Sequence, residues 1–221
     1  MANYRKILVF VLLISLTAFA AGCMNRQDPA EQIFTKLEEV VQIEKAFEEQ
    51  QEPLVKLEQE EKELYAKIIE LNMEQHDEIV RLADEAITIA DKRKEHLDKE
   101  KESIEESREE FGGVEGIADK LEDSELEKQV ADLQQLMLDR YAIHDELYKS
   151  YTDGLSYDKA LYELLKDKDL TIETLEEQIN KVNAAYDEVL SANERFNEKT
   201  DQYNKAKLSF YDAAGLNVET E

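Results

Sequence analysis

Beyond residue 28, apolar residues recur along this chain in steps of three and four, the spacing that lines one face of an α-helix. Ile33, Leu37, Val40 and Phe47 form the first stripe, with Val41 beside it. Asp28 offers an N-cap oxygen, and Pro29 suits the first helical position, where its missing N–H costs nothing. The stretch Glu48–Glu52 ahead of Pro53 predicts a break or kink, because the residue before a proline is biased away from helix; Pro53 can equally open the next helix. Leu54, Leu57, Leu64, Ile68, Leu71, Ile79, Leu82, Ala86, Ile89 and Leu97 then lie near one face. This is a coiled-coil seam, with Glu61, Gln75 and Arg93 as polar interruptions. Unbroken from Pro53 to Phe111, such a helix would span roughly 90 Å. Over residues 91–110 only Leu97 and Ile104 stay apolar, which predicts either a solvated, protruding helix end or a partly disordered one. Phe111-Gly112-Gly113 ends it, since glycine readily takes the positive φ that stops a helix.

A third helix starts at Val114 or Ser124 and runs to Tyr151, carrying Leu126, Val130, Leu133, Met137, His144 and Leu147, with Arg140 filling a gap in the stripe. Asp153-Gly154 is a turn signal. A short helix, Tyr157–Lys166, follows, and then a second break over residues 167–171. The last helix has the clearest pattern. One heptad row reads Leu175, Val182, Val189, Phe196, Tyr203, Phe210 and is apolar throughout. Its partner row reads Ile172, Ile179, Tyr186, Asn193, Thr200, Lys207 and turns polar after Tyr186, which predicts a bundle that tapers or frays over its last three heptads. Ala213-Ala214-Gly215 closes the helix. No strand of convincing length is found, and short loops between long helices favour antiparallel neighbours. The predicted fold is all-α: an elongated antiparallel coiled-coil-like bundle of three main long helices plus a short helix over residues 29–216, with an acidic tail at 217–221.

The first 28 residues follow a different pattern. Arg5 and Lys6 precede an apolar run from Ile7 to Phe19, shorter than the ~20 residues a helix needs to cross a bilayer. Small residues follow at once, Ala20-Ala21-Gly22, and then Cys23. A basic start, a short apolar core and small residues at the junction form an export signal over residues 1–22. Cys23 is the only cysteine and has no partner for an internal disulfide. Ala20-Ala21-Gly22-Cys23 resembles the bacterial lipobox at three positions in four, with Ala20 standing where leucine is commonest. The resemblance implies cleavage between Gly22 and Cys23. It also implies an S-diacylglycerol and an N-acyl (palmitate-type) modification of Cys23, the several chains that stable anchoring needs. Residues 23–28 would then be a lipidated tether on the extracytoplasmic face of the cell membrane.

Charge narrows the partners. The chain carries 27 Lys+Arg against 53 Asp+Glu, a formal charge of −26, and loss of Arg5 and Lys6 takes the mature chain to −28. Such a body is repelled by nucleic acid, anionic lipid head groups and anionic wall polymers, though screening beyond ~8–10 Å leaves local contacts open.

Candidate chemistry is sparse. His76, His96 and His144 are far apart and form no metal-ligand spacing, and the Glu-rich runs lack the turn of a calcium loop. No nucleophile–base set or phosphate-cradling glycine loop occurs, and the acids are too evenly spread to nominate a catalytic pair. No cofactor is expected, and the chain is expected not to be an enzyme. The best localised binding candidate is tyrosine: Tyr141, Tyr148, Tyr151, Tyr157 and Tyr162 cluster around Gly154, where rings could stack on sugars or on a partner, or simply pack a bundle end.

With the junction at Cys23, the Glu/Lys-rich helical body, the Asp28-Pro29 opening and the Tyr-rich region around Gly154, the chain resembles the YkyA-type family of cell-wall-binding lipoproteins of Gram-positive bacteria. The resemblance implies an extracytoplasmic helical bundle associated with the envelope, and carries over no catalytic residues. The expected function is therefore a non-catalytic, membrane-tethered protein that binds peptidoglycan, other wall material or an envelope protein. The alternative is a self-associating coiled-coil spacer or scaffold, with the polar row Asn193, Thr200 and Lys207 facing a second copy.

Overall fold

The computed structural model describes residues 28–216, so Gly22, Cys23, the rest of the signal and tether, and the tail at 217–221 lie outside the described residues. Four long helices are found among the described residues: α1 (Pro29–Glu70), α2 (His76–Phe111), α3 (Ser124–Leu165) and α4 (Ile172–Ala213). There is no strand among them. The architecture is all-helical, with four long helices where the periodicity predicts three and a short one.

The differences have local causes. Pro53 lies inside α1, which runs through it without a break. The proline removes one backbone hydrogen bond, while burial of Leu37 and Val40 before it and of Leu54 and Leu64 after it holds both halves to α2. The chain reverses instead at Leu71–Gln75, a segment with neither glycine nor proline. There the Asn72 side chain accepts from the Glu74 amide at 2.9 Å, and Gln75 reaches back to the Asn72 amide. Gly154 is not a turn: α3 passes through it, and a Cβ there would lie 3.4–3.7 Å from the ring of Tyr186 on α4. Its missing side chain lets that ring lie against the α3 backbone. Gly112 continues right-handed at φ −56 into a 3-10 turn, Gly112–Val114, and a one-turn helix, Glu115–Ala118. Gly215, at φ 68, is the glycine that does use positive φ to end a helix.

Asp28 caps α1 as expected, and Asp123 and Thr171 cap α3 and α4 in the same way. Asp28 accepts from Ala30 N at 2.9 Å, Asp123 from Glu125 N at 2.8 Å, and Thr171 from Thr174 N at 3.2 Å.

Each helix runs antiparallel to the next. α1 packs along α2, α3 along α4, and the two hairpins join through α2 and α3, while the α1 and α4 backbones stay apart. The bundle is thus a curved row of four helices with α1 and α4 as its edges. At the end where α1 begins, side chains close those edges: Phe34 meets Tyr211 at 4.8 Å between ring centres, and the Tyr211 hydroxyl donates to Glu38 at 2.8 Å. Further up, Phe47 meets Phe196 at 5.7 Å. Beyond that level the edges part.

Two expectations about solvent exposure are reversed. The charged stretch 91–110 is packed along one face into the bundle, with Arg93, Leu97, Glu100, Ser103, Ile104 and Ser107 all buried. The Ser103 hydroxyl donates to the Ile43 carbonyl at 2.9 Å and accepts from the Phe47 amide at 3.2 Å, so it sits between two backbone groups of α1. The C-terminal half of α4 does not fray either: Phe196, Tyr203, Phe210 and Tyr211 are buried. Thr200 and Lys207 turn inward, to Arg140 at 2.9 Å and Glu38 at 3.5 Å. The half of α4 with two apolar rows is the half left open, where Ile172 and Leu190 are exposed.

Candidate functional site

The seam interruptions Glu61 and Arg93, and Arg140 in the gap of the third helix's stripe, belong to two buried polar layers, and each layer takes a side chain from all four helices; Gln75 lies in the reversal. The lower layer centres on Arg140 of α3. Its guanidinium makes a bidentate pair with Glu44 of α1 at 2.7 and 2.8 Å, donates to Thr200 of α4, and lies 4.6 Å above the Phe196 ring. Ser107 of α2 donates to the same carboxylate at 2.7 Å and meets the Tyr141 hydroxyl at 2.7 Å. One cation faces one anion there, and the Phe47–Phe196 contact covers it.

The upper layer centres on Arg93 of α2 and is not balanced in this way. Arg93 is 4% exposed and lies 2.6 Å from Glu61 and 3.4 Å from Glu58 of α1, and 3.5 Å from Asp158 of α3. It donates to the Tyr151 hydroxyl at 2.8 Å and the Tyr186 hydroxyl at 2.9 Å, and its carbon stands 5.1 Å from the Tyr151 ring. The two phenols donate in turn, Tyr151 to Glu58 and Tyr186 to Asp158. Three carboxylates therefore share one guanidinium. Burial pushes the Glu61 and Asp158 carboxyls above the usual carboxylate range, and Arg93 only partly offsets it. Burial would lower the Arg93 pKa, but Tyr151, Tyr186 and Glu61 outweigh it and keep the cation charged.

This layer is the floor of an open cleft of about 490 Å³ between the parted edges. One wall is α1, with Glu58, Glu61, Lys62 and Tyr65; the other is α4, with Ile179, Val182, Asn183, Tyr186, Leu190 and Asn193. A second hollow of about 320 Å³ continues it downward, sharing Glu58, Tyr151 and Asn193 and adding Val55 and Glu100. Burial, with Glu58 nearby, pushes the Glu100 carboxyl up to about 8, and Gln51 donates to it.

The five tyrosines do not form one cluster at a turn. They are spread along α3, and the structure brings only Tyr151 and Tyr162 to the cleft, where Tyr65 and Tyr186 join them. Tyr141 is core, bonded to Ser107. Tyr148 donates to Asp98 at 2.7 Å across to α2, and the Tyr157 carbonyl accepts from Gln178. The site residues that tyrosine clustering does not point to are Glu58, Glu61, Arg93, Asp158 and Tyr186. Two of these, Glu61 and Arg93, are visible as polar breaks in an apolar seam, spaced on helices that an antiparallel hairpin brings together.

His76 bonds the Lys166 carbonyl at 2.9 Å and His96 bonds Gln50 at 2.8 Å. His144 is packed between the Phe47 and Phe196 rings and held down to about 4 by burial, with Lys101 and Arg140 adding to the effect. Among the described residues no group of three or more His, Cys, Asp or Glu is placed to hold a metal ion, and no helix is long and apolar enough to cross a membrane.

Residues 28–213 match the YkyA family, described as "Putative cell-wall binding lipoprotein". The chain belongs to this family. It is 38% identical over 212 residues to the uncharacterized lipoprotein YkyA of Bacillus subtilis (strain 168), covering 93% of this chain and 95% of that one. Its fold is also that of a Staphylococcus aureus protein of unknown function solved by crystallography. The TM-score is 0.74 at 17% identity, over 86% of this chain and 98% of the other. At that identity the likeness speaks to fold alone. The family match covers both polar layers and the cleft, and the family and the Bacillus relative are both described as lipoproteins.

Proposed function

We propose that this YkyA-family chain is a non-catalytic, lipid-anchored binding protein on the outer face of the cell membrane, engaging cell-wall material or an envelope protein through the cleft between α1 and α4. The observation that carries the reading is the contrast between the two halves of the bundle. In the half that begins at Asp28 the α1 and α4 edges meet over a charge-balanced layer, while in the far half they part over tyrosines and surplus carboxylates. A lipid on Cys23 would sit five residues before Asp28, within about 18 Å of extended chain. Glu61 stands 32 residues into α1, which sets the cleft on the order of 50 Å above the base of the bundle. A site raised this far from the bilayer suits a ligand in the wall layer or on a neighbouring protein. A charge of −28 keeps the body off anionic surfaces, so the anchor rather than electrostatics would hold it in place.

The spacer reading keeps only Asn193 of its polar row exposed, because Thr200 and Lys207 are engaged inside the chain by Arg140 and Glu38. Anchoring is tested by fatty-acid labelling in cells. The label should be lost on Cys23→Ala, and persistent labelling would overturn the anchor. Binding is tested by sedimenting the full chain with isolated cell walls and by cross-linking in cells. A chain that neither pellets with walls nor cross-links to an envelope protein defeats the proposal.

A further inference from the structure

From the shape and charge of the α1–α4 groove we infer that its occupant is a basic amphipathic helix of a protein partner. This inference rests on the binding role proposed above and names the partner's chemistry. Three observations carry it. First, the two hollows form one groove running alongside residues 47–65 of α1 and 179–197 of α4, about 27 Å at the helical rise. That length suits a helix of roughly 18 residues laid parallel to the bundle axis.

Second, each rim carries an uncovered apolar side chain. Val55 on α1 is 63% exposed and Leu190 on α4 is 64% exposed, with Ile179 and Val182 lining the same wall. These α4 residues recur at helical steps and present the ridges into which another helix packs. The C-terminal half of the same helix, with its apolar row buried, needs no such cover.

Third, the charge is unbalanced where the groove is open and balanced where it is closed. Around Arg140 one guanidinium meets one carboxylate; around Arg93 one guanidinium meets three. Lys62 is the other cation among the lining residues, and it lies exposed on the rim. A lysine or arginine of an incoming helix would supply the missing positive charge, and the Tyr65, Tyr162 and Tyr186 rings offer faces to a cation. A second copy of this chain would bring a like charge of −26 or more to the same place.

The chain contains no tryptophan, so a tryptophan in a synthetic peptide reports on the peptide alone. The probe is an 18-residue amphipathic helix with a leucine row, flanking lysines and one tryptophan, added to the full chain held in zwitterionic nanodiscs. Saturable, blue-shifted emission is expected, weakened by added salt. Val55→Ser with Leu190→Ser should weaken binding about ten-fold or more, because the serine rims offer the peptide less apolar surface to bury. Both positions are exposed, so circular dichroism should remain that of the parent. The peptide with glutamate in place of each lysine should not bind.

Equal binding by the rim variant, or by the glutamate peptide, overturns the inference. So does a concentration-dependent dimer of the free chain that the rim variant abolishes, which would give the face to a second copy. If the lysine peptide fails to bind the parent chain while wall sedimentation persists, the helix-binding inference falls and the wider binding role stands. Loss of both removes both.

Discussion

Glu100 is buried at 5% exposure on the inner face of α2, near Glu58, and accepts a hydrogen bond from Gln51. Its folded pKa of about 8 against an ordinary 4.5 means that the native state holds a proton the unfolded chain releases. The raised pKa fixes the sign: stability from this group is complete below pH 4.5 and is lost as pH rises through 8. The slope is about 1.4 kcal/mol per pH unit, so the loss is about 3 kcal/mol at pH 7 and about 5 kcal/mol above pH 8. Glu100→Gln keeps the shape and an oxygen for Gln51 but needs no proton. The variant should match the parent near pH 4.5 and exceed it by about 3 kcal/mol at pH 7, or roughly 6–12 °C in Tm for a chain of this size.

His144 sharpens the test because its sign is opposite. Its folded pKa of about 4 lies below the ordinary 6.5, so its contribution is present above pH 6.5 and lost as pH falls through 4. Between pH 4.5 and 6.5 the two groups offset each other, and from 6.5 to 8 His144 no longer opposes the Glu100 loss. Glu61 and Asp158, also raised, slope the same way as Glu100 and are common to both chains. Urea unfolding of residues 28–216, followed by circular dichroism at pH 4.5, 6, 7 and 8, measures the difference directly. Superimposable stability–pH curves for parent and Glu100→Gln, or a less stable variant at pH 7, refute the reasoning.

Arg93→Met should cost about 3–5 kcal/mol at pH 7 by stranding Glu61 and Asp158, and part of the loss should return at pH 5 as those acids protonate; thermal melts at both pH values check it. Gly154→Ala places a Cβ at ordinary contact distance from the Tyr186 ring and should stabilise α3 by about 0.5–1 kcal/mol, whereas Gly154→Leu should expel the ring and destabilise, as read by urea midpoints. Replacing the closed layer with Glu44→Leu and Arg140→Leu together should leave stability unchanged or raised by about 1–4 kcal/mol, while Arg140→Leu alone should lower it; a double-mutant cycle from denaturation curves separates the two.

Much of the fold is legible because long helices write their inner face into the spacing of apolar residues. The last helix and its end at Gly215 lie where periodicity and glycine place them. The misplaced breaks come from reading glycine and proline as punctuation. Pro53 is overridden by apolar packing on both sides, Gly154 exists to admit a ring from another helix, and the true reversal at Leu71–Gln75 uses an Asn72…Gln75 capping box instead. That signal is present, an Asn followed three residues later by Gln, but no residue of φ > 0 marks it. The charged stretch 91–110 reads as solvated because Arg93, Glu100, Ser103 and Ser107 make the inner face polar, and each of their partners lies 32 to 63 residues away in the chain or further. Single-residue spacing cannot reveal a partner on another helix. The cleft is hidden for the same reason: its floor joins Glu61, Arg93, Asp158 and Tyr186, one from each helix.

Those polar layers also explain how a repetitive seam specifies one structure. Apolar rows that recur every seven residues nearly superimpose on themselves when one helix slides by a heptad past its neighbour, so the apolar seam resists such a slip only weakly. A slip of that size moves a side chain about 10 Å along the axis. It would carry Glu44 away from Arg140 and Glu61 away from Arg93 at once, leaving two buried guanidiniums without their pairs. Each layer draws on all four helices, so a shift of any single helix breaks hydrogen bonds in both. The closed layer performs this task with one cation and one anion. The open layer has two carboxylates more than register requires, Glu58 and Asp158, and both line the cleft between α1 and α4. Register accounts for Arg93 and Glu61; the surplus acid beside the opening is the part of the bundle that folding alone leaves unexplained.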